Sequence, residues 1–212
     1  MMINYLVIEG NIGAGKTSLA SMIAEKHNAR LILEQYADNP FLPKFYQDQE
    51  RYSFPLELSF LAARYNQLHR ELTSPELFQS FTVADYFFSK SLIFAKITLQ
   101  IDEFNLYRQL FDIIHQQLPR PDLYVYLYAS VDKLIANIRK RGRDYEKDIT
   151  PEYLENVQHG YFEYLRSLKN QKILVLEMEH LDFISVKRHY SLIEDAIFHQ
   201  QHANGMNRIQ LP

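Results

Sequence analysis

Five short runs rich in β-branched and large apolar residues recur along the chain, and the stretches between them carry apolar residues at helical spacing. Residues 3 to 9 (INYLVIE), 29 to 34 (ARLILE), 79 to 85 (QSFTVAD), 123 to 130 (LYVYLYAS) and 172 to 177 (KILVLE) predict strands. Helices are predicted for KTSLASMIAEKH, for Tyr52 to Leu72 (Leu58, Leu61, Tyr65 and Leu68 fall at turn spacing), for FFSKSLIFAKI, for residues 102 to 118, for VDKLIANIRKR and for about 184 to 200. A further helix should open at Thr150, a capping residue followed by Pro151 at the first helical position. Gly142 is the expected stop of the helix before it. DNPFLPKFYQD holds two prolines and predicts a loop with at most a short helix. The tail HANGMNRIQLP is polar and is expected to be loose.

Strands alternating with helices imply an α/β fold with a parallel sheet of five strands. One domain is expected over residues 1–200, with a C-terminal tail over residues 201–212. In such sheets ligands bind beyond the C-terminal ends of the strands. Three candidates fall there: the loop starting at Gly10, Glu34 and Asp85.

The first of these is the most specific. Gly10, Asn11, Ile12, Gly13, Ala14, Gly15, Lys16 and Thr17 match G-x-x-x-x-G-K-[ST] in full, between a predicted strand and a predicted helix. Glycines let successive backbone N–H groups turn toward an anion, and the helix start adds its positive end. Lys16 reaches the β- and γ-phosphates, and the Thr17 hydroxyl is the candidate ligand for Mg²⁺, with Ser18 beside it in the first helical turn. A P-loop alone does not choose among GTPases, ATPases and kinases. No N-K-x-D element for reading guanine in a GTPase is present, and the length suits a small-molecule kinase with a lid. That lid is expected over about 139–149, where Arg139, Lys140, Arg141 and Arg143 fall within five residues. Cations over the transferring phosphoryl group and exclusion of water are what phosphoryl transfer requires. A rich helix C-terminus also favours basic residues for its own reasons.

Bulk composition narrows the partners. A net charge of −3 argues against nucleic acid as the main partner. The absence of cysteine rules out disulfides and thiolate metal sites. Neither a secretion signal nor an apolar run long enough to span a bilayer is found, so a cytoplasmic protein without a membrane partner is expected. The eight histidines show no metal spacing, and HQQH near the end is expected to be solvated.

The motifs IEGNIGAGKTSLA, EQYADNPFLPKFY, FPLELSFLAARYNQL, VADYFFSKSLIFA, LPRPDLYVYLYAS and IRKRGRDYEKDITPEYLE, in this order, resemble the deoxynucleoside kinase family, most of all its bacterial deoxyguanosine kinase branch. The resemblance runs to about residue 180. It implies a P-loop kinase with a five-stranded parallel sheet flanked by helices, an Arg-rich lid, a homodimer, and ATP-dependent phosphorylation of a deoxynucleoside 5′-hydroxyl. It implies Glu34 as the base at that hydroxyl, Tyr46 and Glu146 at the sugar 3′-hydroxyl, and Arg139, Arg141 and Arg143 about the phosphates.

Two departures from the family pattern are informative. Glu57 stands where many members carry glutamine. A carboxylate only accepts, and guanine presents N1–H and a 2-amino group side by side, whereas adenine would turn its N1 lone pair on the charge. Arg64, two turns on, is positioned to donate to guanine O6 or N7. Deoxyguanosine is therefore expected ahead of deoxyadenosine. The second departure is Tyr86, which follows Asp85 where many relatives have arginine. Asp85 then holds Mg²⁺ through water or orients a lid arginine, and Lys90, one turn on, faces base or phosphate. Phe60, beside Glu57 and Arg64, reads as packing. The alternatives are a monophosphate kinase of thymidylate-kinase type, or a nucleotide-binding module without transfer chemistry.

Overall fold

A computed structural model describes residues 3–35, 39–73 and 78–212. Six parallel strands form one sheet: β1 (Tyr5–Gly10), β2 (Arg30–Ile32), β3 (Thr82–Ala84), β4 (Leu123–Tyr128), β5 (Lys172–Glu177) and β6 (Gly205–Gln210), in the order β2-β3-β1-β4-β5-β6. The helices among the described residues are α1 (Lys16–His27), α2 (Leu42–Gln47), α3 (Gln49–Thr73), α4 (Ser89–Thr98), α5 (Ile101–His115), α6 (Val131–Arg141), α7 (Pro151–Ser167) and α8 (Lys187–Phe198).

Alternation along the strands explains the layers. Leu6 and Ile8, Leu123 and Val125, and Leu174 and Leu176 share one core with Leu19 and Ile23 of α1, Leu134 of α6 and Ile193 of α8. Tyr5 and Val7, Tyr124 and Tyr126, and Ile173 and Val175 share the other with Leu61 of α3, Ile93 of α4, Phe111 of α5 and Val157 of α7. Both faces are covered, so the strands read as continuous apolar runs. Each fully buried large apolar side chain contributes about 1.5–3 kcal/mol. Burial therefore dominates what holds the layers together.

Local signals act where the sequence places them. The Thr150 side chain accepts from Tyr153 N at the start of α7. Gly142 closes α6 in a left-handed conformation, with its N–H on Ile138 O. The predicted loop at 38–48 contains the six-residue α2, with Asp38 outside the described residues.

Two expectations need correction, the loose tail with its five-stranded sheet and the solvated HQQH. The sheet has six strands rather than five, because the tail is not loose: residues 205–210 pair in parallel with residues 172–177. Arg208 Nε anchors this edge on Glu177 Oε1 at 2.7 Å, and Asn207 Nδ2 donates to Ile173 O at 3.1 Å. An edge strand bonded on one side is held by its backbone and needs little apolar density. Leu58 is exposed, although Leu61 and Leu68 on the same helix are buried. His202 of HQQH is buried and contacts Ala196 O at 2.9 Å through Nε2, while His199 stays at the surface beside Asp195. Among the described residues no group of side chains suited to a metal ion is found, and no helix is long and apolar enough to cross a membrane.

Candidate active site

β1 ends where the phosphate loop begins, and close packing there explains its glycines. A Cβ on Gly10 would lie 2.7 Å from Leu127 O on the neighbouring strand. Gly13, at φ +82°, would place one 2.8 Å from Leu134 O of α6. Gly15 has left-handed geometry immediately before α1. Lys16 Nζ folds over the loop and donates to Asn11 O at 2.9 Å, and Asn11 Nδ2 ties the loop to Leu154 O of α7. Burial lowers the Lys16 ammonium to about 8, with Lys90 adding to the effect and Glu9, Glu34 and Asp85 opposing it.

The ends of β2 and β3 meet this loop through one carboxylate. Asp85 Oδ2 accepts from Thr17 Oγ1 at 2.6 Å, and Oδ1 accepts from Glu34 N at 2.7 Å. Asp85 thus fixes the distance between the phosphate loop and Glu34. The Glu34 carboxylate is itself clamped. Oε1 accepts from Arg64 Nε at 2.9 Å, with Nη2 at 2.8 Å, and Oε2 accepts from Lys90 Nζ at 2.5 Å. Burial alone would raise its pKa, but Lys90 and Arg64 outweigh burial and hold it at about 2. Glu34 is therefore an anion at any working pH.

Tyr86 stands after Asp85 where the family pattern has arginine, and cations from α3 and α4 meet Glu34. Tyr86 is buried and donates to Gln67 Oε1 at 2.9 Å. Lys90 and Arg64 supply the positive charge at Glu34 instead. Arg64, expected to donate to a base, commits Nε and Nη2 to Glu34 and Nη1 to Ser91 Oγ at 2.8 Å, and its guanidinium lies over the Phe60 ring at 4.6 Å.

A cleft opens in front of this constellation, with polar groups converging on it among apolar and aromatic side chains. Ile12, Gly13, Lys16 and Thr17 line one end with Glu34 and Asp85. Tyr46, Glu57, Phe60, Arg64 and Lys90 line the other. Arg141, Arg143 and Glu146 close the rim. Most of the sequence-derived site residues therefore share this lining; Gly10, Asn11, Ala14 and Gly15 shape the phosphate loop and Ser18 the first turn of α1 without lining the cleft, and Arg139 is exposed outside it. Glu146, expected at a sugar hydroxyl, is bound by Arg141 Nη2 at 2.6 Å and Nε at 3.1 Å, and by Arg143 Nη1 at 3.3 Å. Arg141 and Arg143 are thus held by an acid that shares the cleft lining.

Glu57 is buried in the cleft wall. Oε1 accepts from Thr98 Oγ1 at 3.1 Å, and Oε2 has no hydrogen-bond partner among the described residues. A buried acceptor without a donor is costly, so such an oxygen points to a ligand that brings one.

Sequence reasoning missed Tyr153 of α7 and Phe94 of α4, both in the lining, and Glu9. Glu9 is fully buried: Oε1 accepts from Phe87 N at 2.9 Å and Oε2 from the Tyr161 hydroxyl at 2.9 Å. It ties the strand before the phosphate loop to the residues that lead into α4, the helix of Lys90. A single acid inside an otherwise apolar buried run was the available signal, because a buried charge requires partners.

Residues 6–201 match the family model described as deoxynucleoside kinase. The chain belongs to the deoxynucleoside kinase family. It is 36% identical over 195 residues to a deoxyguanosine kinase of Bacillus subtilis (strain 168), covering 89% of this chain and 93% of that protein. It is 29% identical over 208 residues to a deoxyadenosine kinase of Dictyostelium discoideum, covering 96% of this chain and 83% of the relative. The structure of deoxyadenosine kinase from M. mycoides with bound dATP superposes with a TM-score of 0.78 at 26% identity, covering 91% of this chain and 98% of that one. The protein is a deoxynucleoside kinase, and the cleft between phosphate loop and α3 is its candidate active site.

Proposed function

We propose that this kinase transfers the γ-phosphoryl group of ATP to the 5′-hydroxyl of a purine deoxynucleoside, deoxyguanosine ahead of deoxyadenosine, in nucleotide salvage. The carrying observation is Glu57, a buried carboxyl in the wall of the cleft with one oxygen lacking a donor. Guanine offers two adjacent donors to it, N1–H and the 2-amino group, and adenine does not. The two relatives named above, one a deoxyguanosine and one a deoxyadenosine kinase, support a purine in this place.

In this reading the nucleoside lies with its base at Glu57 and Phe60 and its 5′-hydroxyl at Glu34. Tyr46 and Glu146 close on the 3′-hydroxyl, where they would leave little room for a 2′ substituent. Glu34 aligns the hydroxyl with the γ-phosphate and takes its proton late, because a carboxylate held at about 2 is a weak base. Lys90 and Arg64 are positioning residues for Glu34. Lys16, Arg141 and Arg143 balance charge on the phosphates. The touching Thr17 hydroxyl and Asp85 carboxylate suit a hard cation and would hold Mg²⁺, which supplies neutralisation of phosphate charge when bound.

A phosphoryl-transfer assay with Mg²⁺–ATP against the four common deoxynucleosides and their 5′-monophosphates tests the acceptor. At about pH 8, where the Glu57 carboxylate prevails, deoxyguanosine should give the highest kcat/KM, with deoxyadenosine second. Transfer to a monophosphate alone, or clear discrimination for deoxyadenosine over deoxyguanosine at that pH, would sink the reading.

The same proposal includes a homodimer in the cytoplasm. Leu106, Leu110 and Ile113 form an exposed apolar stripe at helical spacing on α5, suited to a second copy of the chain. Light scattering at micromolar concentration should return twice the chain mass, and a monomer there would remove the dimer.

A further inference from the structure

We infer that Glu57 reads its two purines in two protonation states, as a carboxylate with guanine and as a neutral acid with adenine, so that pH sets the choice between deoxyguanosine and deoxyadenosine. The inference rests on the purine reading of the cleft and deepens it.

Donor and acceptor complementarity comes first. The ionised carboxyl offers two acceptors, which match N1–H and the 2-amino group of guanine. The neutral acid offers one O–H donor and one acceptor, which match N1 and the 6-amino group of adenine. Each base thus fits one state and opposes the other. The adenine complex holds one proton more than the guanine complex.

The surroundings leave both states within reach. Glu57 makes one hydrogen bond, from Thr98 of α4, and its second oxygen is buried without a donor among the described residues. Arg64 faces it from the same helix, but among the described residues its guanidinium contacts go to Glu34 and Ser91, not to the Glu57 carboxyl. Lys90 of α4 is likewise bound to Glu34. Glu34, beyond β2, is an anion that opposes a second negative charge nearby. Tyr107 of α5 donates to the Glu57 backbone O at 3.3 Å. Burial pushes its phenol, and that of Tyr153 from α7, up, so neither charges near neutral pH. Tyr46 of α2 and the Arg141, Arg143 and Glu146 cluster complete the lining. Burial raises the Glu57 carboxyl to about 7, with Arg64, Thr98 and Lys90 pulling against burial. Contrast Glu34, with two cations in contact and a value of about 2. The two acids share a cleft and differ in whether a cation touches them.

The sign follows from proton linkage. Above the pKa of Glu57 the neutral acid becomes scarce and deoxyadenosine loses. Below it the carboxylate becomes scarce and deoxyguanosine loses. The ratio of the two kcat/KM values should therefore rise with pH, by up to about tenfold per unit. Every group that acts on both substrates, Lys16 and Glu34 included, cancels in that ratio.

The test is competition between deoxyguanosine and deoxyadenosine in one mixture with Mg²⁺–ATP, from about pH 6 to about pH 8. The wild-type ratio should rise by roughly 10- to 100-fold over that span. Glu57→Gln, whose amide has one donor and one acceptor at every pH, should give a ratio shifted toward deoxyadenosine and flat with pH. Calorimetry on the wild type in two buffers of different ionisation heat gives a second readout that needs no variant. Near pH 7 deoxyadenosine should take up protons and deoxyguanosine should release them. A wild-type ratio flat within about twofold, or proton changes of the same sign, would overturn the inference and leave the purine kinase standing. Phosphorylation of neither purine would overturn the purine reading, and this inference with it.

Discussion

Replacing Glu34 by glutamine should lower kcat for the preferred deoxynucleoside by roughly 10²- to 10⁴-fold, the usual worth of a positioned acid–base group. The nucleoside KM should change far less, because the base and sugar contacts lie elsewhere in the cleft. The size of the effect follows from the clamp on the carboxylate. Lys90 at 2.5 Å and Arg64 at 2.8 and 2.9 Å leave Glu34 one orientation, and Asp85 fixes its backbone to the phosphate loop. A neutral amide would neither accept the proton nor pair with the two buried cations. Leaving a buried charge without its partner costs about 3–5 kcal/mol, so the melting temperature of the variant has to be measured beside its rate. Lys90→Met separates the effects: it keeps the Glu34 carboxylate but removes one of its cations, and should lower kcat less than Glu34→Gln does. A folded Glu34→Gln enzyme with kcat within about threefold of wild type would remove Glu34 from the transfer step.

Lys16→Met should lower kcat/KM for ATP by roughly 10²- to 10³-fold, in line with the loss of one preorganised charge at a transition state. The glycine conformations that turn the loop inward would persist, and the variant should fold. The wild type gives an independent check through pH. Burial lowers the Lys16 ammonium to about 8, and the protonated form is the one that attracts phosphate. As pH rises through about 8 the charged fraction falls, so kcat/KM for ATP should decline above that point by up to tenfold per unit. Phosphate binding favours the ammonium, so kcat itself should hold to higher pH than kcat/KM. A kcat/KM profile that is level through pH 8 and 9, or a Lys16→Met enzyme with unchanged ATP kinetics, would contradict this role.

Much of the fold was legible because its signals are local. Thr150 with Pro151, Gly142, and the glycines of the phosphate loop each act on the backbone within a few residues, and each stands where the pattern placed it. β6 escaped notice because Met206 and Ile209 are its only large apolar residues and its backbone bonds to β5 carry it. Leu58 marked its helix correctly and is exposed on it, because helical spacing marks a face without saying which neighbour covers it.

The candidate site was legible as a set of residues and less so as a set of contacts. Lys16, Glu34, Asp85, Glu57 and Lys90 all reach one cleft. Arg64, however, faces Glu34 instead of an open base edge, and Glu146 holds the lid arginines. Which partner a long charged side chain chooses depends on distances across the fold, and those are not written in spacing along one helix. The placement of Lys90 on Glu34 is such a case. Lys90 lies on α4 and Glu34 beyond β2, far apart in sequence, so their meeting is set by the fold and not by local spacing.

A crystal structure of the kinase with deoxyguanosine and a non-hydrolysable ATP analogue tests the central claim most directly. The account predicts the 5′-oxygen within about 2.6–3.2 Å of a Glu34 oxygen. It also predicts guanine N1 and its 2-amino group on Glu57, with the terminal phosphate on Lys16. A nucleoside bound with its base at Glu34, or outside the cleft between Glu34 and Glu57, would contradict it.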